Sequence, residues 1–327
     1  MGLQVPNPPT QVGSGSYNPS SVIATAEYEL LKERVGLVDR SDRAKLLLHG
    51  SEAAEFLQGQ VTNDVEALVP GEGCYAALLN HKGKLRTDLR LLRGPEWIWI
   101  DAEAIGRRPL VHTVETYSLG RDVSFEDVTE ARAILSLVGP AAGDGLDAHP
   151  PAHEDHFVEG RHGLYVTTAL GVDVICEASA ADEVRDALGV VEVSEEAAEC
   201  VRIESGRPRL GLDMDGDTIP QEAGLNERAV SFTKGCYVGQ ETVARLHYKG
   251  KPNRGLRGLR LSASAATGDP ISLGDRSVGK VGSTCVSPAL GPIALALVRR
   301  EASPGDTVTV GEERAPAEVV ELPFPRR

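Results

Sequence analysis

The last quarter of the chain constrains the fold most. From about residue 252 it reads as short apolar segments broken by glycine turns: "LRGLRLS", "DPISLG", "RSVGKVGST", "ALALVRR", "DTVTVG" and "AEVVELPF". Segments this short cannot bury their apolar faces alone. Their even spacing is that of antiparallel strands joined by tight turns. The expectation is a small β-barrel or sandwich over residues 251–327.

Upstream the texture is mixed. In "AEYELLKERVGLVD", Tyr28, Leu31 and Val35 recur at helical spacing, with Gly36 as the stop. "AKLLLHG" reads as a buried strand, and Ser51 as the N-cap of a helix with Ala53, Phe56 and Leu57 on its apolar face. "CYAALLN", "KLRTDLRLL" and "EWIWIDA" are strands, with a turn at "NHKG", residues 80–83. "ARAILSLVG", "HGLYVTTAL" and "GVDVICEA" form a second strand set, followed by the helix "SAADEVRDALG". "SEEAAECVRIESG" is a further helix with Ser194 as cap and Gly206 as stop. The 327 residues suffice for two or three domains. We expect a tail over 1–21, α+β domains over 22–140 and 141–250, and the β domain over 251–327.

Charge and cysteine usage exclude several classes. The net charge is −14, so the chain as a whole repels nucleic acid and anionic membrane. Five dispersed cysteines form no C-x-x-C pair, which argues against a zinc knuckle or a disulfide framework and fits the reducing cytoplasm. No apolar run approaches the roughly 18 residues of a membrane span, and no metal site is expected.

Three places could carry chemistry. In "SFTKGCYVGQETVARL", Cys236 lies between Gly235 and Gly239 and follows Lys234, which could stabilise a thiolate. Phe232 to Arg260 holds seven Lys or Arg against Glu241 alone, a local reversal that suggests an anion site. The bland alternative is a packed cysteine beside a solvated basic strand. Glu204 falls on the apolar stripe of its helix with Ala197, Cys200 and Val201, so it needs a partner: a protein cation, or a ligand with two adjacent N–H donors. Asp88 alternates with Arg86 and Arg90 on one strand face, which locally reads as an exposed charged row. Tyr75, one strand earlier, is by default a cross-strand aromatic.

"KGCYVGQE", residues 234–241, resembles the signature of the YgfZ branch of the folate-binding GcvT-like superfamily, as does "IPQEAGLNERAVSFT" before it. "VGLVDRSDRAKLLLHGSEAAEFLQGQVTNDV", "RIESGRPRLGLDMD" and "GKVGSTCVSPALGPIALALV" resemble blocks shared with glycine-cleavage T-proteins. The resemblance implies an α+β fold of three domains in a ring around a tetrahydrofolate channel, two of them exchanging segments and the third a C-terminal β-barrel. It implies folate contacts at Tyr75, Asn80, Asp88 and Glu204, with Glu204 holding the pterin edge. Cys236 becomes a functional thiol, with Lys234 and Gln240 beside the folate. Two positions depart from the T-protein pattern: Thr87 stands for the first Asp of an Asp-Asp pair, and Gly83-Lys84 for Gly-Gly. The implied function is iron–sulfur cluster assembly or repair, with an indirect effect on tRNA modification and with cluster enzymes or assembly proteins as partners. Aminomethyl transfer to tetrahydrofolate, with Asp88 at the reacting centre, and a non-catalytic folate scaffold are the alternatives. Direct nucleic-acid contact is not expected of so acidic a chain.

Overall fold

The computed structural model describes residues 25–325; the tail expected at 1–21 lies outside them. Helix α1 (Thr25–Glu33) buries Tyr28 and Leu31. It ends before Gly36, which opens strand β1 (Gly36–Asp39) instead of stopping the helix. A Cβ at Gly36 would meet the side chains of Leu31 and Val193 at 2.8 Å, so glycine is set there by close packing.

The first sheet takes its strands from β2 (Ala44–His49) onward. Helix α2 (Ala53–Gln60) turns Ala53, Phe56 and Leu57 inward, as their spacing requires. Ser51 does not cap it. Glu52 occupies the cap position without a side-chain bond, and the Ser51 hydroxyl donates to Asp122 at 2.7 Å. Strands β3 (Gly73–Leu79), β4 (Leu85–Arg93) and β5 (Trp97–Ala102) are antiparallel neighbours. Gly83 supplies the left-handed residue of the β3–β4 turn at φ 77°. Helix α3 (Arg107–Tyr117) and strand β6 (Ser124–Asp127) complete this unit, whose order is β3-β4-β5-β2-β6.

The second sheet is built from β7 (Arg132–Val138), β8 (Phe157–Gly160), β9 (Gly163–Thr168) and β10 (Gly171–Glu177). Its order is β1-β7-β10-β9-β8, so the N-terminal β1 pairs with β7 along Gly36↔Val138 to Asp39↔Leu135. Pairing therefore cuts across a linear division at residue 140: β1 and β7 join strands from beyond it. The reason is that β7 finds its partners for both edges in β1 and β10, not in the hairpins that precede it. The sheets meet through Leu92 and Trp99 of the first and Ile134, Phe157, Val166 and Ile175 of the second. Each such side chain contributes about 1.5–3 kcal/mol on burial.

Helices α4 (Ala181–Leu188), α5 (Glu195–Glu204), α6 (Asn226–Ala229) and α7 (Gln240–Lys249) follow. Ser194 caps α5 by accepting from the Ala197 N–H, and Gly206 follows its end at φ 74°. Strands β11 (Arg254–Leu261), β12 (Pro270–Leu273), β13 (Arg276–Ser287), β14 (Gly291–Arg299), β15 (Thr307–Val310) and β16 (Ala315–Val320) close into a barrel, not a sandwich. Closure leaves no sheet edge unpaired. Leu259, Ile271, Ala294 and Val319 fill its interior. The outer faces of β13 and β14 pack against α5 and α1 through Cys285, Ile293, Leu295, Cys200 and Leu31.

Candidate functional site

A cavity of about 180 Å³ opens where the two sheets, α5 and the segment after it converge. Its walls include Tyr75, Arg90, Ser136, Asp155, Thr168 and Arg207. Larger clefts exist: one of about 490 Å³ against Trp97 and Trp99, and one of about 770 Å³ beside the barrel. Unmet polar demand separates them. Buried Nε and Nη atoms of Arg40, and one Nη of Arg90, have no hydrogen-bond partner among the described residues. Both arginines line the small cavity and neither lines the larger clefts. Glu195 stands 3.7 Å from Arg40 Nη2, beyond hydrogen-bond distance; a buried donor without a hydrogen bond costs roughly 1–3 kcal/mol, so these atoms mark where a ligand or water can supply acceptors.

Asp101 on β5 aims the arginines. One carboxylate oxygen accepts from Arg43 at 2.8 and 3.0 Å; the other accepts from Arg90 at 2.8 Å and Trp99 at 2.9 Å. Burial raises Asp101, but Arg90 and Arg43 outweigh it and hold the carboxyl down at about 2. Arg90 continues to Asp173 at 2.7 Å, which also accepts from Ser136 at 2.6 Å. The strand alternation expected on β4 is present, but its polar face is covered: Arg90 is 6% exposed. The exposed-row reading fails because the second sheet packs over that face and supplies Asp173.

Tyr75 and Asp88 form a couple beside this cluster. The phenol donates to Asp88 Oδ2 at 2.6 Å, and the guanidinium of Arg228 lies 4.7 Å from the ring centroid. Asp88 Oδ1 is buried with no partner. Burial raises the carboxyl, and the Tyr75 hydrogen bond offsets only part of that. Burial and the neighbouring carboxylate together push Tyr75 well up, so it stays a donor. Asn80 has a local part: its side-chain oxygen accepts from the N–H groups of Lys82 and Lys84 at 2.8 and 3.1 Å, tying the β3–β4 turn.

Glu204 does not line the cavity. Its Oε1 accepts from Tyr28 at 2.8 Å and Ser287 at 2.5 Å, and Lys32 reaches Oε2 at 3.0 Å. The stripe position anticipated a buried carboxylate in need of partners, and α1 and β13 provide them. Arg202, two residues earlier, binds Glu199 twice at 2.9 Å, Asp213 at 3.1 Å and Ser283 at 2.5 Å. The Arg-x-Glu block thus bolts α5 to the barrel and to α1.

Cys236 is exposed, and it is not among the residues lining the cavity. Lys234 is turned inward: its ammonium donates to the carbonyls of Gln58, Val61 and Asn63 at 2.7, 2.8 and 2.7 Å. It closes the C-terminal end of α2, where orphan carbonyls need donors, and burial lowers it to about 8. Gln240 opens α7, its amide 3.5 Å from the Gly235 carbonyl. Gly239 adopts φ 85° with its Cα-facing side against the Asn80 carbonyl, where a Cβ would stand at 2.5 Å. The basic run is divided: Arg254 pairs with Glu222 at 3.0 Å, and Arg260 donates to the Pro325 carbonyl at 2.6 Å.

Residues 10–157 match the GCVT N-terminal domain, and residues 254–325 match the glycine cleavage T-protein C-terminal barrel domain. The chain belongs to the glycine-cleavage T-protein family. An aminomethyltransferase of Synechococcus sp. is 31% identical over 92% of this chain and 90% of its own length. The tRNA-modifying protein YgfZ of Escherichia coli is 31% identical over 70% of this chain and 72% of its own. The aminomethyltransferase T of the Bartonella henselae glycine cleavage system superposes with a TM-score of 0.82 at 23% identity, covering 92% of this chain and 89% of that one; the fold is shared. Within this family frame, the sequence reading missed Arg40, Arg43, Arg90 and Asp155, which line the cavity, and Asp101, which holds Arg43 and Arg90 from behind. A charged residue flanked by apolar ones in "WIWIDA" was the available signal for Asp101: Asp in so apolar a strand must be paired.

Proposed function

We propose that the cavity receives the head of a reduced folate and that the protein acts, as a YgfZ-type member of its family, in iron–sulfur cluster assembly or repair. The observation that carries the folate reading is the set of buried atoms without a hydrogen-bond partner among the described residues: those of Arg40 and Arg90, which line the cavity, and Oδ1 of Asp88, whose other oxygen accepts from Tyr75 in the cavity wall. A heterocycle with acceptors and donors on its rim meets both demands, and Tyr75 offers an aromatic wall. At about 180 Å³ the space is below the roughly 300–1,000 Å³ of a whole-ligand site, so it takes a ring system while the rest of the molecule extends outward. Bound tetrahydrofolate would supply the nitrogens that carry one-carbon units. Asp101 holds the arginines in place, and Asp88 with Tyr75 orders the wall.

The cluster reading rests on "KGCYVGQE" and on the exposure of Cys236. A single thiol cannot hold a cluster alone, so a client or assembly protein in the same compartment, the cytoplasm, provides the other ligands. An effect on tRNA modification is then indirect, through a cluster-dependent enzyme. The test is Cys236→Ala in a strain lacking the protein: the variant folds and binds folate but fails to restore cluster-enzyme activity. Full restoration sinks the role of the thiol.

Aminomethyl transfer is the second reading, favoured by the unpartnered Oδ1 and raised carboxyl of Asp88, a group poised to accept a proton. Methylene-tetrahydrofolate formation with a lipoylated carrier protein, dependent on Asp88 and indifferent to Cys236, selects it. Folate binding with neither activity selects a non-catalytic scaffold.

A further inference from the structure

Three carboxylates line the central cavity, and two are spent. Glu154 accepts both Nη groups of Arg207 at 2.6 and 2.9 Å and Arg228 at 3.0 Å. Asp173 is held by Arg90 and Ser136. Asp155 differs: among the described residues no hydrogen bond or ion pair reaches its carboxylate, and Arg90 and Arg228 act on it only through space. Its backbone is pinned nonetheless. The N–H donates to the Thr167 carbonyl at 2.8 Å, and φ is 64°, a left-handed value that costs a non-glycine residue about 1 kcal/mol or more. Its carbonyl sits against Gly73, where a Cβ would stand only 2.3 Å away. Gly73 and Tyr75 share one face of β3, since they are two residues apart. The bare glycine lets the loop carrying Asp155 reach the strand beside the Tyr75 ring.

We infer that Asp155 receives the N–H edge of the pterin, its two oxygens accepting from the ring N3–H and the 2-amino group. The assignment rests on the folate reading above and names the acceptor that reading lacks, since Glu204 is satisfied by Tyr28, Ser287 and Lys32. A carboxylate matches two parallel donors, as it does with a guanidinium. The arrangement also sorts the polar edges of the ligand. Acceptors on the far rim of the ring meet Arg40 and Arg90, and donors meet Asp155.

Accepting two N–H groups requires the ionised carboxylate. Burial, with Glu154 adding to it, raises Asp155 to about 6 even though Arg90 and Arg228 pull it down. The groups facing it are Arg90 on β4, Asp101 on β5, Cys74 on β3, Arg228 at α6 and Glu154 in its own loop. Asp101 and Glu154 lie below the usual carboxylate range, Cys74 is pushed up to about 12, and Asp101 and Asp173 hold Arg90 well up. His153 and His156 occupy the same loop, and the variant below controls for them.

The test is calorimetric titration of tetrahydrofolate into the full chain between pH 5.5 and 7.5, with wild type and Asp155→Asn. Asparagine tolerates the left-handed backbone, so the fold is kept. Wild type should bind, with affinity falling as pH drops through about 6. Asp155→Asn should bind roughly 10- to 100-fold more weakly and lose that pH dependence. Wild type that binds while Asp155→Asn matches it within about twofold, with the same pH profile, overturns the assignment alone. Wild type that does not bind overturns the folate reading, and the assignment with it.

Discussion

Replacing Glu204 by alanine separates a structural carboxylate from a ligand-binding one. The side chain is 9% exposed and takes hydrogen bonds from Tyr28 and Ser287. Hydrogen bonds to a charged partner contribute about 1.5–3 kcal/mol each. Lys32 is 42% exposed, and a solvent-screened pair of that kind adds at most about 0.5 kcal/mol. The variant also removes a carboxylate that was costly to bury, while stranding two hydroxyls in the seam between α1, α5 and the barrel. The net expectation is a loss of about 3 kcal/mol. At roughly 2 °C per kcal/mol for a chain of this size, melting should fall by about 6 °C. Differential scanning calorimetry measures this, and tetrahydrofolate titration well below the melting temperature measures the site. Affinity should stay within about threefold of wild type. A melting temperature unchanged within about 1 °C, together with a loss of binding beyond about tenfold, would refute the reasoning and return Glu204 to the ligand.

Asp101→Asn should destabilise the protein at neutral pH by about 3–5 kcal/mol, because Arg43 and Arg90 lose a buried counter-charge. Its folded pKa is depressed, so its contribution is present above the unfolded value and is lost as pH falls through about 2; urea midpoints between pH 4 and pH 2 should fall less steeply in the variant. A labelling reagent should find Cys236 first, since Cys176, Cys200 and Cys285 are buried and Cys74 is half-buried. Lys234→Met should cost roughly 3 kcal/mol by stranding three carbonyls, yet alter the alkylation rate of Cys236 in the folded protein less than about twofold. A tenfold slower thiol in that variant would mean that the lysine activates it after all.

Much of the fold was legible because its signals are local. Strand and turn chemistry outline β3, β4 and β5, and Ser194 with Gly206 brackets α5. The glycine-punctuated terminus becomes the closed barrel. What local pattern cannot carry is partner choice at long range. Nothing near Gly36 says that β1 pairs with β7 about a hundred residues on. Ser51 had the chemistry of a cap, but Asp122 takes its hydroxyl. At the site, Tyr75 and Asp88 do meet, since they lie on paired strands; Tyr75 is opposite Arg90 and Asp88 opposite Ala77, so the two meet diagonally, a register fact no single strand reveals. Lys234 shows the converse. Two residues from Cys236 in sequence, it looks like an activator, yet its chain bends into the end of α2 and its charge is consumed there. Asp155 carries no local signal of a role, and only the close approach of its carbonyl to Gly73 gives it a place.

The account stands most directly on whether the cavity beneath Tyr75 is the folate site. Calorimetric titration of tetrahydrofolate into wild type and into Thr168→Trp decides it, because a bulky ring on β9 fills the space without removing any of the polar groups assigned to the ligand. The account predicts one molecule bound per wild-type chain and at least roughly tenfold weaker binding in a variant that still melts cooperatively. Equal affinity in the two proteins, or no binding by wild type, would contradict it.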